Sequence, residues 1–313
     1  MTDTRGDMVG TSDLQKLLTR LSGQVRASDI AQLSDLPRAT ARTLRELWPT
    51  VPVANRRRIV SEMVELSELN LSLNFRQVFL VALDDPDAEV RRSAVEGLWE
   101  EEDPAVLRRL LARLAVETEI PVRAALAQVL GRFAELDVLG RLPSQESEEL
   151  RTALIALLDP REPIDVRRRA LESAAVYADA TVIAAIEEAY WSGDPLLRAS
   201  ALYAMGRSLD RRWLPLLLDE LHSEDPERRY EAATACGELG AEEAVDDLIG
   251  LTSDPDRDVQ GAAILALGRI GGTVATNVLR RLARSADPVV REAAEEALAE
   301  AVFAADPLRP TPW

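Results

Sequence analysis

Residues 194–206 read DPLLRASALYAMG, and residues 225–237 read DPERRYEAATACG. The two stretches begin 31 residues apart, and the Arg in each belongs to a longer column: Arg167, Arg198, Arg229, Gln260 and Arg291, every step again 31. Three positions on stand Ala170, Ala201, Ala232, Ala263 and Ala294. Gly206, Gly237 and Gly268 keep the same register, as do Ile186, Leu217, Leu248 and Leu279 one helix upstream. Several columns holding one period mark an internal repeat. The pattern continues backward more loosely through Arg123 and Arg91, with a weak first copy expected at Arg58.

Each unit reads as two helices. In 180–209, Ile183, Ile186 and Tyr190 make an apolar stripe at helical spacing. Asp194-Pro195 then breaks the chain, with Asp suited to cap a helix and Pro to its first position. Leu197, Ala201, Met205 and Leu209 line the inner face of the second helix. The same signal recurs at Asp85-Pro86, Ile120-Pro121, Glu162-Pro163, Asp225-Pro226, Asp254-Pro255 and Asp287-Pro288. No stretch alternates with the period of a strand. The fold class predicted is all-α, a solenoid of about seven to eight helix pairs with the second helix of each pair on the concave side.

The recurring D-P-x-x-R-x-x-A-x-x-A-x-G resembles the HEAT-like repeats of phycobilisome lyases, over roughly residues 74–300. The resemblance implies an Arg–Asp ladder through the stack, here Asp194 and Arg198, Asp225 and Arg229, Asp287 and Arg291. Residues 1–12 are expected to be a disordered tail, 13–70 a helical N-terminal cap, 71–303 the repeat array and 304–313 a Pro-rich tail. The 13 residues by which the step from Arg123 to Arg167 exceeds the period (44 minus 31) are assigned to an acidic loop at 135–149.

The chain has 313 residues, 54 acidic and 37 basic, for a formal charge of −17; Lys16 is the one lysine. Such a balance argues against nucleic acid or an anionic membrane surface as partner. With a single cysteine, Cys236, no intrachain disulfide can form, and no apolar run reaches a membrane span. A cytoplasmic location is expected.

Enzymes on this repeat that hydroxylate deoxyhypusine hold two irons with repeated His-Glu pairs, as the resemblance implies. The one histidine, His222, cannot supply such a set, so no metal and no cofactor are expected. The run Glu100–Asp103 reads as a solvated acidic turn rather than a Ca²⁺ or Mg²⁺ site, and Cys236 as a core thiol. Phosphate-loop and nucleophile-elbow motifs are missing from the sequence.

What stands out is aromatic: Tyr177, Tyr190, Trp191, Tyr203, Trp213 and Tyr230 fall within 54 residues. Positions one, five and nine past the marker Arg form a helix stripe opposite the apolar columns. Read across units, that stripe is charged at the ends and apolar in the middle. The expected partner site is therefore Tyr203, Tyr230, Leu265 and Thr234, flanked by Arg207, Arg269 and Arg132, with Gln128. The function expected is a non-enzymatic scaffold or adaptor binding a protein or peptide on its concave face. The alternative is a lyase- or chaperone-like protein holding a small apolar ligand such as a tetrapyrrole.

Overall fold

A computed structural model describes residues 11–305. The described residues form 18 α-helices joined by short turns and 3₁₀ segments, with no strand among them. The chain divides into two compact units, residues 1–173 and 174–313. The expected tails lie mostly outside the described residues, although α1 already begins at Thr11 and the last helix runs to Ala305.

The first unit opens with α1 (Thr11–Gly23), the short α2 (Ala27–Ile30), α3 (Ala41–Leu47) and α4 (Val53–Leu69). Helix pairs follow: α5 (Arg76–Ala82) with α6 (Ala88–Glu96), α7 (Pro104–Leu114) with α8 (Ile120–Val138), and α9 (Ser144–Ala156) with α10 (Ile164–Ala174). The second unit holds four pairs: α11 (Ala180–Trp191) with α12 (Pro195–Arg207), α13 (Leu214–Glu220) with α14 (Pro226–Glu238), α15 (Val245–Leu251) with α16 (Arg257–Ile270), and α17 (Gly272–Leu282) with α18 (Pro288–Ala305). The fold is all-α and solenoid-like, with three such pairs in the first unit, where α3 packs on α5 and α4 on α6, and four in the second.

Within the second unit the second helices α12, α14, α16 and α18 pack directly on one another, more closely than the first helices do. The glycine column sets that spacing. A Cβ on Gly206 would lie 2.7 Å from the Ala235 backbone, one on Gly237 2.8 Å from Ala266, and one on Gly268 2.7 Å from Ala297. Helix surfaces meeting this closely leave no volume for a methyl group.

Within each unit, arginines tie several pairs to the next. Arg91 donates to both carboxylate oxygens of Glu117 at 2.8 and 2.9 Å and to its own unit's Asp85 carbonyl at 2.8 Å. Arg229 repeats this with Asp254, at 2.9 Å twice, and with the Ser223 carbonyl. Arg123 reaches Glu162 at 2.6 Å. Arg291, in the last pair, bonds the Ser285 carbonyl, and Gln260 bonds that of Thr252.

The partners differ from the expected Asp column. Asp194, Asp225 and Asp287 accept from the first free N–H groups of their own helices instead. Arg198 goes to Glu220, at 2.6 Å, and to the Tyr190 hydroxyl. Capping and rung-forming are separate positions: Asp85, Glu117 and Asp254 form rungs six residues before the marker, whereas the rung acids Glu162 and Glu220 stand five and nine residues before it. Asp85 and Asp254 occupy the rung position, and their helices are capped two residues later by Asp87 and Asp256. The first rung comes from buried Arg56 to Asp85, not from Arg58, which pairs with Glu62 on its own helix. The extra residues at 135–149 are likewise not a loop: they lengthen α8 to Val138 and begin α9 at Ser144.

Burial acts to raise the Glu117 pKa, but the Arg91 hydrogen bonds and the N–H groups of Thr118 and Glu119 overcome it and hold the carboxyl at about 2. A lowered carboxylate pKa stabilises the fold above the unfolded value of 4.5 and ceases to do so as pH falls toward 2. Glu117→Gln is therefore expected to lose about 3–5 kcal/mol at pH 7, the cost of opening a buried ion pair. In urea melts, the gap to wild type should close between pH 4.5 and 2. Gly237→Ala should lower stability by about 1–3 kcal/mol through overpacking. Gly261→Ala, with nothing within 4 Å, should raise it by up to about 1 kcal/mol; thermal melts of the two single variants check the opposite signs.

Candidate functional site

On the second helices of the second unit, the residues one, five and nine past the marker face away from the packed glycine and alanine columns. Tyr203 on α12 is 37% exposed and Tyr230 on α14 is 38% exposed. Leu265 on α16 and Thr234 on α14 are half-buried beside the packed columns. Ala199, expected on the same stripe, is buried. The surface is thus two tyrosine rings on neighbouring helices over a partly apolar floor.

The expected cationic flank is not free. Glu238 on α14 lies 3.9 Å from Arg207 on α12 and 3.8 Å from Arg269 on α16, and Arg269 lies 3.7 Å from Glu300 on α18. All four occupy the ninth position past the marker, and the column alternates in sign. Their charges are spent on one another at long distances, half-buried at Arg207 and Glu238 and exposed at Arg269 and Glu300, and each pair contributes little individually. Glu238 was not among the expected site residues, yet it organises this edge. Its signal in the sequence is the Arg-Glu-Arg-Glu alternation across units. Gln128 and Arg132 stand exposed on α8 of the first unit, where Arg132 is paired with Glu102 and Glu135.

Two of the six clustered aromatics belong to the core. Tyr190 is buried and donates to Glu220 at 2.8 Å, with Arg198 stacked 4.5 Å above its ring and Trp191 edge-on at 4.7 Å. Trp213 is buried as well, whereas Trp191 is 64% exposed.

Other candidate groups are occupied or inert. Burial pushes the Cys236 thiol up to about 12, which removes it as a nucleophile. The acidic run is engaged in ion pairs: Glu101 with Arg76, Glu102 with Arg132, and Asp103 with Arg38 and Arg76. Asp103 also caps α7. His222 is exposed and lies 3.3 Å from Asp247. Among the described residues, no group of three or more His, Cys, Asp or Glu could hold a metal ion.

Residues 214–299 match the family of HEAT repeats. The human deoxyhypusine hydroxylase is 33% identical over 116 residues, 36% of this chain and 38% of that protein. The Bos taurus enzyme of that name is 31% identical over 125 residues, 39% of this chain and 41% of its own. The chain thus spans about two-fifths of the length of the curated relatives it matches. Among solved structures, that of the CpcE and CpcF complex of phycocyanin lyase from Nostoc sp. PCC7120 superposes with a TM-score of 0.48 at 19% identity, covering 72% of this chain and 94% of that one. The human deoxyhypusine hydroxylase in complex with glycerol gives 0.37 at 17% identity, covering 94% and 99%.

The named relatives are enzymes. They overturn the expectation of a non-enzymatic scaffold or adaptor, which rested on the repeat architecture and the lack of any catalytic constellation. The two irons that the resemblance implies for such hydroxylases do not fit the described residues, because one exposed histidine paired with one aspartate offers no ligand set. No helix is long and apolar enough to cross a membrane.

Proposed function

We propose that this chain takes part in the enzymatic modification of a protein and supplies the surface that holds the protein substrate. The kinship with deoxyhypusine hydroxylases supports the enzymatic half of this reading. HEAT repeats, which commonly mediate protein contacts, support the other half. One observation carries the choice of surface: Tyr203 and Tyr230 stand exposed on adjoining second helices, in columns where neighbouring units carry small or charged side chains. Tyrosine offers a large apolar area and a hydrogen-bonding tip at little conformational cost. In this reading Leu265 and Thr234 form the floor beneath the bound segment. Arg207 and Arg269, held by Glu238, form a polar rim that can exchange partners when a substrate carboxylate or carbonyl arrives. Gln128 and Arg132 make a separate contact in the first unit. The setting is the cytoplasm, in keeping with a lone, buried cysteine.

The test compares proteomes. Host cells lacking the chain should lose a covalent modification on at least one protein. The Tyr203→Ala/Tyr230→Ala double variant, melting like wild type, should fail to restore it. Its affinity for that substrate protein should fall by about 2 kcal/mol or more. A modification pattern unchanged on deletion overturns the enzymatic reading, and full restoration by the double variant overturns the surface.

A further inference from the structure

The first unit carries a cleft of about 880 Å³ between the first helices α7 and α9, at the place where the 31-residue period is interrupted. Its floor is small and apolar. Leu111, Ala112 and Ala115 come from the α7 side, and Ala153, Ala156 and Leu157 from the α9 side. Ala112, Ala115 and Ala156 are exposed to solvent, so the cleft is a wide trough rather than an enclosed pocket. A small molecule would be poorly covered in it, whereas an extended or helical peptide can lay a row of side chains along it.

The charges on the lip decide what kind of peptide. Arg108 is committed to Glu146, which is almost buried, and Arg123 is committed to Glu162 at 2.6 Å. Those pairs cancel. Glu148 and Glu149 remain on the α9 lip, exposed and without an ion-pair partner among the described residues; Glu149 accepts only from the Gln145 amide, at 2.9 Å. Two uncompensated carboxylates beside an alanine floor, on a chain of net charge −17, attract cations and repel anions.

We propose that this trough docks a cationic, apolar-faced peptide segment of a partner protein. Alkyl side chains of the segment lie on the alanine floor, and Lys or Arg side chains reach Glu148 and Glu149. The proposal involves none of the residues assigned to the tyrosine surface and stands or falls separately from it. Its physical origin is the lengthened α8, which offsets α9 from the regular register and leaves the two first helices facing each other across small residues.

Fluorescence anisotropy with the full chain tests it. The probe is a fluorescein-labelled peptide of about 15 residues, with Leu and Ala on one helical face and Lys on both flanks. Its companion carries Glu for each Lys. Saturable binding of the Lys probe is expected, with the Glu companion at least tenfold weaker. Glu148→Lys/Glu149→Lys should weaken the Lys probe about tenfold by reversing the lip. Ala112→Trp/Ala156→Trp should do the same by filling the floor, both substitutions being at exposed positions. Glu292→Lys/Glu296→Lys, on exposed α18, changes net charge equally and should shift affinity less than twofold. The proposal is overturned by absence of saturable binding, by equal binding of the Glu companion, by equal weakening in the α18 variant, or by unchanged affinity in the floor-filled variant. Circular dichroism melts accompany each variant, and either trough variant that melts like wild type suffices for the decision.

Discussion

The distance between successive second helices governs what the rest of each unit can do. In the second unit, Gly206 on Ala235, Gly237 on Ala266 and Gly268 on Ala297 bring backbones into contact. Every other longitudinal contact is sized to that separation. A guanidinium on one second helix spans from its own turn carbonyl to an acid in the next pair, as Arg229 does between Ser223 and Asp254. Were the helices held apart by larger side chains, the bidentate geometry would open and leave Asp254 buried without its counter-charge, a costlier state than never having placed it there. Close packing and rung chemistry therefore constrain each other.

Burial and exposure follow from the same arrangement. The second helices have one face against their neighbours, one against their first-helix partners and one to solvent, so the third is where large side chains can stand without disturbing the stack. Tyr203 and Tyr230 use that freedom. On the first-helix side of the first unit the contacts are looser, and the longer α8 leaves α7 and α9 facing each other across alanines. Recognition surfaces thus arise where the repeat is regular but its outward column varies, and where the repeat itself is interrupted.

The all-α solenoid was legible because the residues that impose the period recur at identical positions; a glycine every 31 residues has no other economical reading. The rung partners were less so. Asp-Pro marks both a capping position and a rung position two residues apart, and which role an aspartate takes depends on whether a second one follows, as in Asp85-Pro86-Asp87. The tyrosine stripe was readable down each helix, whereas the pairing of Arg207 and Arg269 with Glu238 shows only when successive second helices are set side by side. The lengthened α8 was hidden because ELDVLGRLPSQESEE is acidic and has a Gly and a Pro, and those fall at 140 and 143, in the short turn between two helices. The likeness of part of the chain to named enzymes did not enter the expectation, because the repeat resemblance pointed to His-Glu pairs that a single histidine cannot supply.

The alternating column Arg207, Glu238, Arg269, Glu300 carries a parity rule. Removing a single 31-residue unit, α13 with α14, would splice Arg207 beside Arg269 and confront two cations along the edge. Excising two adjacent units together, α13 through α16, would instead bring Arg207 to Glu300 and leave the attraction intact. The glycine column is indifferent to how many units are removed, whereas the sign of the contact along this edge depends on whether that number is odd or even.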